Sequence, residues 1–226
     1  MTSPSECGGD DGCEAGRPGF LGRGDELAVQ LREVAFGVLL TTKKPVEPAT
    51  LARLAGSDDR EVAATLDELA RAGRIDRDMQ GRVLGAAGLT LGEGPHGLTI
   101  DGHSFRTWCA FDALGIPAAL GADASVKTTC GVCGRRIEVD LRDGHPSGRT
   151  SARLWLSAGG AVMRADFCTP TVLLCSQAHA QTWAERHDGH GRALTVADAA
   201  DLGATDWASV AATAARLTHS VAVGQP

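Results

Sequence analysis

The stretch SDDREVAATLDELARAGRIDRDMQGRVLGAAG, residues 57–88, sets the architecture of the N-terminal half. Ser57 is a side-chain cap at the head of a run with helical apolar spacing through Ala72, and Gly73 stops it. Residues 74–88 then read as two short strands turning at Gly81. Working outward, DELAVQLREVAFGVLL (residues 25–40) places Leu27, Leu31, Val34 and Val38 on one helical face. Pro45 and Pro48 punctuate the next few residues, and a short helix from about Ala49 to Ala55 ends at Gly56. Helix, helix, turn, helix and a two-stranded wing is the winged-helix pattern.

A winged helix raises the question of DNA. Residues 45–84 hold six Arg and no Lys or His, against eight Asp and Glu. The start of the would-be recognition helix, Ser57-Asp58-Asp59-Arg60-Glu61, carries carboxylates where phosphates and bases would have to approach. A packing role is therefore expected for this module, with no nucleic acid as partner. The whole chain, 226 residues with a formal net charge of −6, also argues against an anionic membrane surface as partner. No apolar run is long enough to span a bilayer, and MTSPSECGGDDGCEAG at the N-terminus lacks a signal peptide's basic start and apolar stretch. A cytoplasmic location is expected.

Residues 1–24, rich in Gly, Ser, Asp and Glu, read as a disordered leader, and residues 25–95 as the winged-helix-like module. The remainder, 96–226, reads as an α+β catalytic domain. Residues 89–104, across this boundary, look like a Gly-rich connection, and 105–114 like a short helix stopped by Gly115 and Pro117. Residues 125–130, 136–141 and 152–157 look like strands. Residues 171–186 begin as strand and pass into helix, and 194–201 and 206–217 look helical.

Seven cysteines, at 7, 13, 109, 130, 133, 168 and 175, are an odd number in a chain without an export signal, so a disulfide framework is not expected. Such thiols are either small buried hydrophobes or soft-metal ligands. Cys109 and Asp112, three apart on a helix, would share one face among Trp108, Phe111, Leu114 and Ile116. An apolar setting raises a carboxyl pKa and keeps a proton available for donation. The spacing alone fits a buried Cys and an exposed Asp on an ordinary core helix better. Cys168, followed by Thr169-Pro170, is by itself also more often core than ligand.

Together the two segments resemble the alkylmercury (organomercurial) lyases. The strings carrying the resemblance are TWCAFDALGIPAALGADASVKTTC from Thr107, then Phe167-Cys168, then TWAERHDGHGRALTVADAADLG from Thr182. The resemblance implies that Cys109 and Cys168 are the catalytic cysteines and Asp112 the catalytic carboxyl. It implies cleavage of R–Hg⁺ to hydrocarbon and Hg(II), with the three residues holding mercury as substrate and product and no cofactor required. Hg(II) would then pass to a small thiol or a mercuric reductase. Mercury is soft and prefers thiolates, which fits. Two readings from other classes compete: a metal-responsive winged-helix regulator, and a soft-metal binding protein without turnover.

The family often has a further cysteine near Cys130. Here Cys130-Gly-Val-Cys133-Gly looks like half a zinc ribbon, but no second C-x-x-C exists, and a structural zinc normally needs four ligands. Cys130 and Cys133 are therefore expected to be buried or spare thiols, dispensable for chemistry, with Cys175 in the core and Cys7 and Cys13 without a role. His187 and His190, in a polar turn, are not expected to be ligands.

Overall fold

The computed structural model describes residues 25–223, so the expected leader, with Cys7 and Cys13, lies outside the described residues. Three helices come first: α1 (Glu26–Thr42), α2 (Pro48–Ala55) and α3 (Asp59–Arg71). Asp25 caps α1 through its carboxylate, which accepts from the Ala28 N–H at 2.7 Å. The cap of α3 is Asp58, not Ser57: its Oδ1 accepts from the N–H groups of Arg60 and Glu61. A carboxylate holds these unpaired N–H groups and also favours the positive helix end.

The strands β1 (Ile75–Arg77), β2 (Val83–Ala86), β3 (Leu89–Thr90), β4 (His96–Ile100) and β5 (His103–Thr107) come next. Then come α4 (Ala110–Leu120), β6 (Ala124–Thr129), β7 (Arg136–Arg142) and β8 (His145–Pro146). These eight strands make one antiparallel sheet in the order β1-β2-β3-β5-β4-β6-β7-β8. Strict alternation on β7 buries Ile137, Val139 and Leu141 on one face. A second antiparallel sheet, ordered β10-β9-β11, is built from β9 (Arg153–Ser157), β10 (Val172–Leu174) and β11 (Gly191–Thr195). A π-helical segment, Met163–Cys168, precedes β10. The helices α5 (Gln177–Arg186), α6 (Val196–Asp206) and α7 (Ala208–Val223) complete a mixed α+β fold. No helix among the described residues is long and apolar enough to cross a membrane.

Two stretches differ from the expectations drawn from sequence. The expected Gly-rich connection at 89–104 contains β3, β4 and part of β5, because Leu98 and Ile100 alternate into the core. The expected helix at 105–114 is strand through Thr107, and α4 starts only after Cys109. It then runs through Gly115 and Pro117, and Gly115 has a packing reason. A Cβ there would lie 2.9 Å from the Gly203 Cα of α6, so the two helices cross with backbones touching. Trp207, at the end of α6, meets Phe111 edge-on with centroids 5.2 Å apart and donates from Nε1 to the Ala87 carbonyl at 2.7 Å. These contacts hold α4 against both α6 and the β2–β3 turn.

Candidate active site

Cys109 and Asp112 meet at the N-terminus of α4, as cap and third helical residue rather than as neighbours on a helix face. The Asp112 Oδ2 accepts from the Cys109 N–H at 2.7 Å, and the Asp112 N–H points back to Cys109 Sγ at 3.4 Å. This is a reciprocal capping box with a thiol in the place of the usual hydroxyl. It fixes both side chains, and it sets sulfur and carboxyl at the positive end of the helix dipole.

Cys168 arrives from 59 positions further on, at the end of the π-helical segment. The chain there is tied to α4 through backbone: the Thr171 N–H donates to the Cys168 carbonyl, and the Thr171 carbonyl accepts from the Ala110 N–H at 3.1 Å. The Thr171 hydroxyl also accepts from the Ser157 N–H, which anchors the segment to β9. The Cys168 thiol is thereby brought near the Cys109 thiol, close enough to influence its protonation. All three side chains belong to buried residues: Cys109 is 0% exposed, Cys168 4% and Asp112 5%.

Burial controls the protonation of this group. It pushes the Cys109 thiol well above the ordinary thiol range, helped by the nearby Cys168 thiol and by the charge of Asp112. Burial also pushes Asp112 up, to about 6. The Cys109 thiol, the Cys109 and Trp108 N–H groups and the charge of Arg164 hold it from rising further. Near neutral pH the resting site is thus a neutral thiol beside a largely ionised carboxylate, an acceptor ready for the thiol's proton.

Residues that sequence reasoning did not single out complete the site. Gly88, at φ +91°, lies against the carboxyl: a Cβ there would sit 2.5 Å from Asp112 Cγ. Its carbonyl accepts from the Trp108 N–H at 3.1 Å. The Arg164 guanidinium stacks over the Trp108 ring, 3.3 Å from its centroid, and donates to the Gly73 carbonyl and to Asp76 Oδ1, each at 2.7 Å. Trp108 Nε1 donates to the other oxygen of Asp76, also at 2.7 Å. Asp76 on β1 therefore joins the N-terminal segment to the wall beside Asp112. Gly88 could have been suspected as a glycine between two short strands; Arg164 and Asp76 carry no local signal.

A second group lies apart from these residues. Cys130, Cys133, Cys175 and His179 have their ligand atoms all within 4.8 Å of one another, an arrangement that could hold a metal ion. This corrects the count that left Cys130 and Cys133 as an incomplete pair: the missing half is Cys175 with His179, four residues on, not a second C-x-x-C. Cys175 is half-buried at the surface of the core, and Cys133 is exposed. Burial pushes the Cys130 thiol up, but backbone N–H groups of Cys133, Cys175 and Val132 and the His179 ring outweigh it and hold the thiol at about 6. His187 is held in the turn after α5, its Nδ1 2.9 Å from the Trp183 carbonyl and its ring stacked on Trp183.

Buried thiols with a carboxyl at a helix N-terminus, on an α+β scaffold, fit one class of site: one that can hold a soft metal beside a proton carrier. The alkylmercury lyase family model matches residues 89–208, which contain all three residues. The chain is 32% identical to the alkylmercury lyase of Bacillus cereus over 168 residues, 72% of this chain and 68% of that protein. It is 31% identical to the alkylmercury lyase of Pseudomonas putida over 164 residues, 70% and 72% of the two chains. The crystal structure of the mercury-bound form of MerB2 has the same fold, with a TM-score of 0.73 at 24% identity over 83% of this chain and 92% of that one. The chain belongs to the alkylmercury lyase family.

Proposed function

We propose that this protein cleaves the carbon–mercury bond of organomercurials by protonolysis at Cys109, Asp112 and Cys168. The observation that supports this most directly is the buried capping box of Cys109 and Asp112, with the buried Cys168 thiol brought near it. The substrate R–Hg–X loses X⁻ as Cys109 Sγ bonds to mercury, and the thiol proton passes to the Asp112 carboxylate. Cys168 then adds its sulfur, and its proton leaves with X⁻ as HX. Two thiolates raise the electron density on the mercury-bound carbon. Asp112 returns its proton to that carbon, the C–Hg bond breaks, and R–H departs. The balance is R–Hg–X plus two thiols giving R–H, a mercury bridging the two sulfurs, and HX.

Burial serves both halves of this cycle. It keeps Cys109 neutral until a soft cation arrives, and it makes a protonated Asp112 easy to retain until carbon takes the proton. Trp108, Phe111 and Phe167 are buried residues beside the three in sequence and supply an apolar setting for an organic group. No further cofactor enters the scheme. Small thiols or a mercuric reductase would remove Hg(II). The winged-helix-like N-terminal segment acts in this reading as a packing scaffold: it supplies Asp76 and Gly73 to hold Arg164. A cytoplasmic setting, where small thiols are abundant, suits the Hg(II) hand-off.

The test is turnover of phenylmercury by the purified full chain with excess small thiol, read as released benzene. Catalytic release that Cys109→Ser and Cys168→Ser each abolish is the expected result. Stoichiometric mercury binding without benzene would leave a soft-metal binding protein and overturn the lyase reading.

A further inference from the structure

We propose that Cys130, Cys133, Cys175 and His179 form a structural zinc site that clamps the β6–β7 turn to the start of α5. Three thiols and one imidazole are a complete donor set for tetrahedral zinc. The distances suit it. Metal–sulfur bonds of about 2.3 Å in a tetrahedron set sulfurs about 3.8 Å apart, and Cys133 Sγ is 3.8 Å from Cys175 Sγ. His179 Nδ1 lies 3.1 Å from Cys175 Sγ and 3.3 Å from Cys130 Sγ. A metal–nitrogen bond of about 2.0 Å would open these separations only by a few tenths of an ångström, to about 3.6 Å.

The backbone around the donors also sets them in place. Cys130 follows β6 directly, and the chain folds back at once: the Gly134 N–H donates to the Cys130 carbonyl at 2.9 Å, with Gly134 at φ +68°. That fold brings the Cys130 and Cys133 sulfurs within 4.8 Å of each other and of the other two ligand atoms. On the other side, Cys175 follows β10, and Ser176 caps α5 by accepting from the His179 N–H. That cap fixes the first turn, on which His179 sits.

The clamp has a consequence for the catalytic segment. The two halves already touch beneath the cluster: the Gly131 N–H donates to the Leu173 carbonyl, and a Cβ on Gly131 would collide with Trp183 and Val172. Trp183 donates from Nε1 to the Pro170 carbonyl, two residues after Cys168. With zinc bound, the segment that presents Cys168 would be pinned on two sides, to α4 through Thr171 and to the β6–β7 turn through the metal. Loading the site releases the thiol protons of the three cysteines and changes no oxidation state.

The experiment is metal analysis of the full chain purified from zinc-replete medium, before any mercury is added. About one zinc per chain is expected. It should persist in the Cys109→Ser/Cys168→Ser double variant, be lost in Cys133→Ser and in His179→Ala, and return in His179→Cys. Cobalt(II) titrated into chelator-stripped wild-type chain should saturate at one equivalent with the intense visible bands of a tetrahedral thiolate site, which keeps the test independent of whether the variants fold. Chain without zinc that also gives no tetrahedral cobalt spectrum would overturn the proposal. So would zinc that disappears with Cys109 and Cys168 but survives Cys133→Ser.

Discussion

In the proposed cycle Asp112 takes a proton from Cys109 and later gives it to carbon, and its pKa of about 6 suits both steps. In the free enzyme the first step needs the carboxylate. Protonation below about 6 removes the acceptor, so kcat/KM should fall as pH drops through that value, with a slope of one proton. A pH series from about 5 to about 8 with phenylmercury and fixed excess thiol checks this; a profile flat across the pKa of Asp112 would mean another group accepts the proton. Cys109, Asp112 and Cys168 could be singled out because the strings around them resemble the alkylmercury lyases; residue type and spacing alone favour ordinary core positions. Their geometry could not be read from either. Helical periodicity places Cys109 inside a helix, whereas it caps one, since a cap and an interior residue look alike when the cap is not Ser, Thr, Asp or Asn. Gly88 gave only a turn signal: a glycine needed because a carboxyl lies against it is indistinguishable in sequence from one needed for a turn.

At the level of elements, the site depends on where α4 starts, and that is fixed by its crossing with α6. A Cβ on Gly203 would fall far inside contact distance of Gly115 Cα. In an isolated helix, Gly→Ala stabilises by about 0.5–1 kcal/mol. Here overpacking should win, because backbone cannot yield as a side chain can, and its cost is typically about 1–3 kcal/mol. Gly203→Ala should therefore lower Tm, by roughly 2–4 °C per kcal/mol lost, and lower turnover with it as α4 shifts. An unchanged or raised Tm would show that the crossing has slack. The strands of 136–142 and 153–157 were readable because alternation and turn residues coincide there. β3 to β5 were not, because their glycines and short lengths imitate a loop. The zinc-ribbon half at Cys130 and Cys133 was visible, but its partner was not: Cys175 and His179 follow no common ligand spacing, and only the packing of α5 on the β6–β7 turn brings them in.

For the molecule as a whole, buried ionisable groups tie stability to pH. Asp206 is 3% exposed, neither carboxyl oxygen has a hydrogen-bond partner among the described residues, and burial raises its pKa to about 7. A carboxyl raised in the folded state binds a proton there that the unfolded chain has released. Relative to full ionisation in both states, its contribution is largest below about 4 and is lost as pH rises through about 7. His96, buried against Thr128 and lowered to about 4, works the other way: its contribution is present above about 6.5 and falls as the solution is acidified. The raw pH curve therefore mixes the two, and the difference between Asp206→Asn and wild type isolates one. Asp206→Asn should gain in Tm over wild type on going from about pH 5 to about pH 8; a difference independent of pH would show that Asp206 is not ionising in the fold. The division of labour between the thiols and the carboxyl is tested most directly by single-turnover benzene release by Asp112→Asn from one equivalent of phenylmercury. Cys109 and Cys168 should still retain the mercury on the protein, while benzene appears about 10²- to 10⁴-fold more slowly than from wild type. Benzene released at the wild-type rate would contradict the account, because the proton would then reach carbon without Asp112.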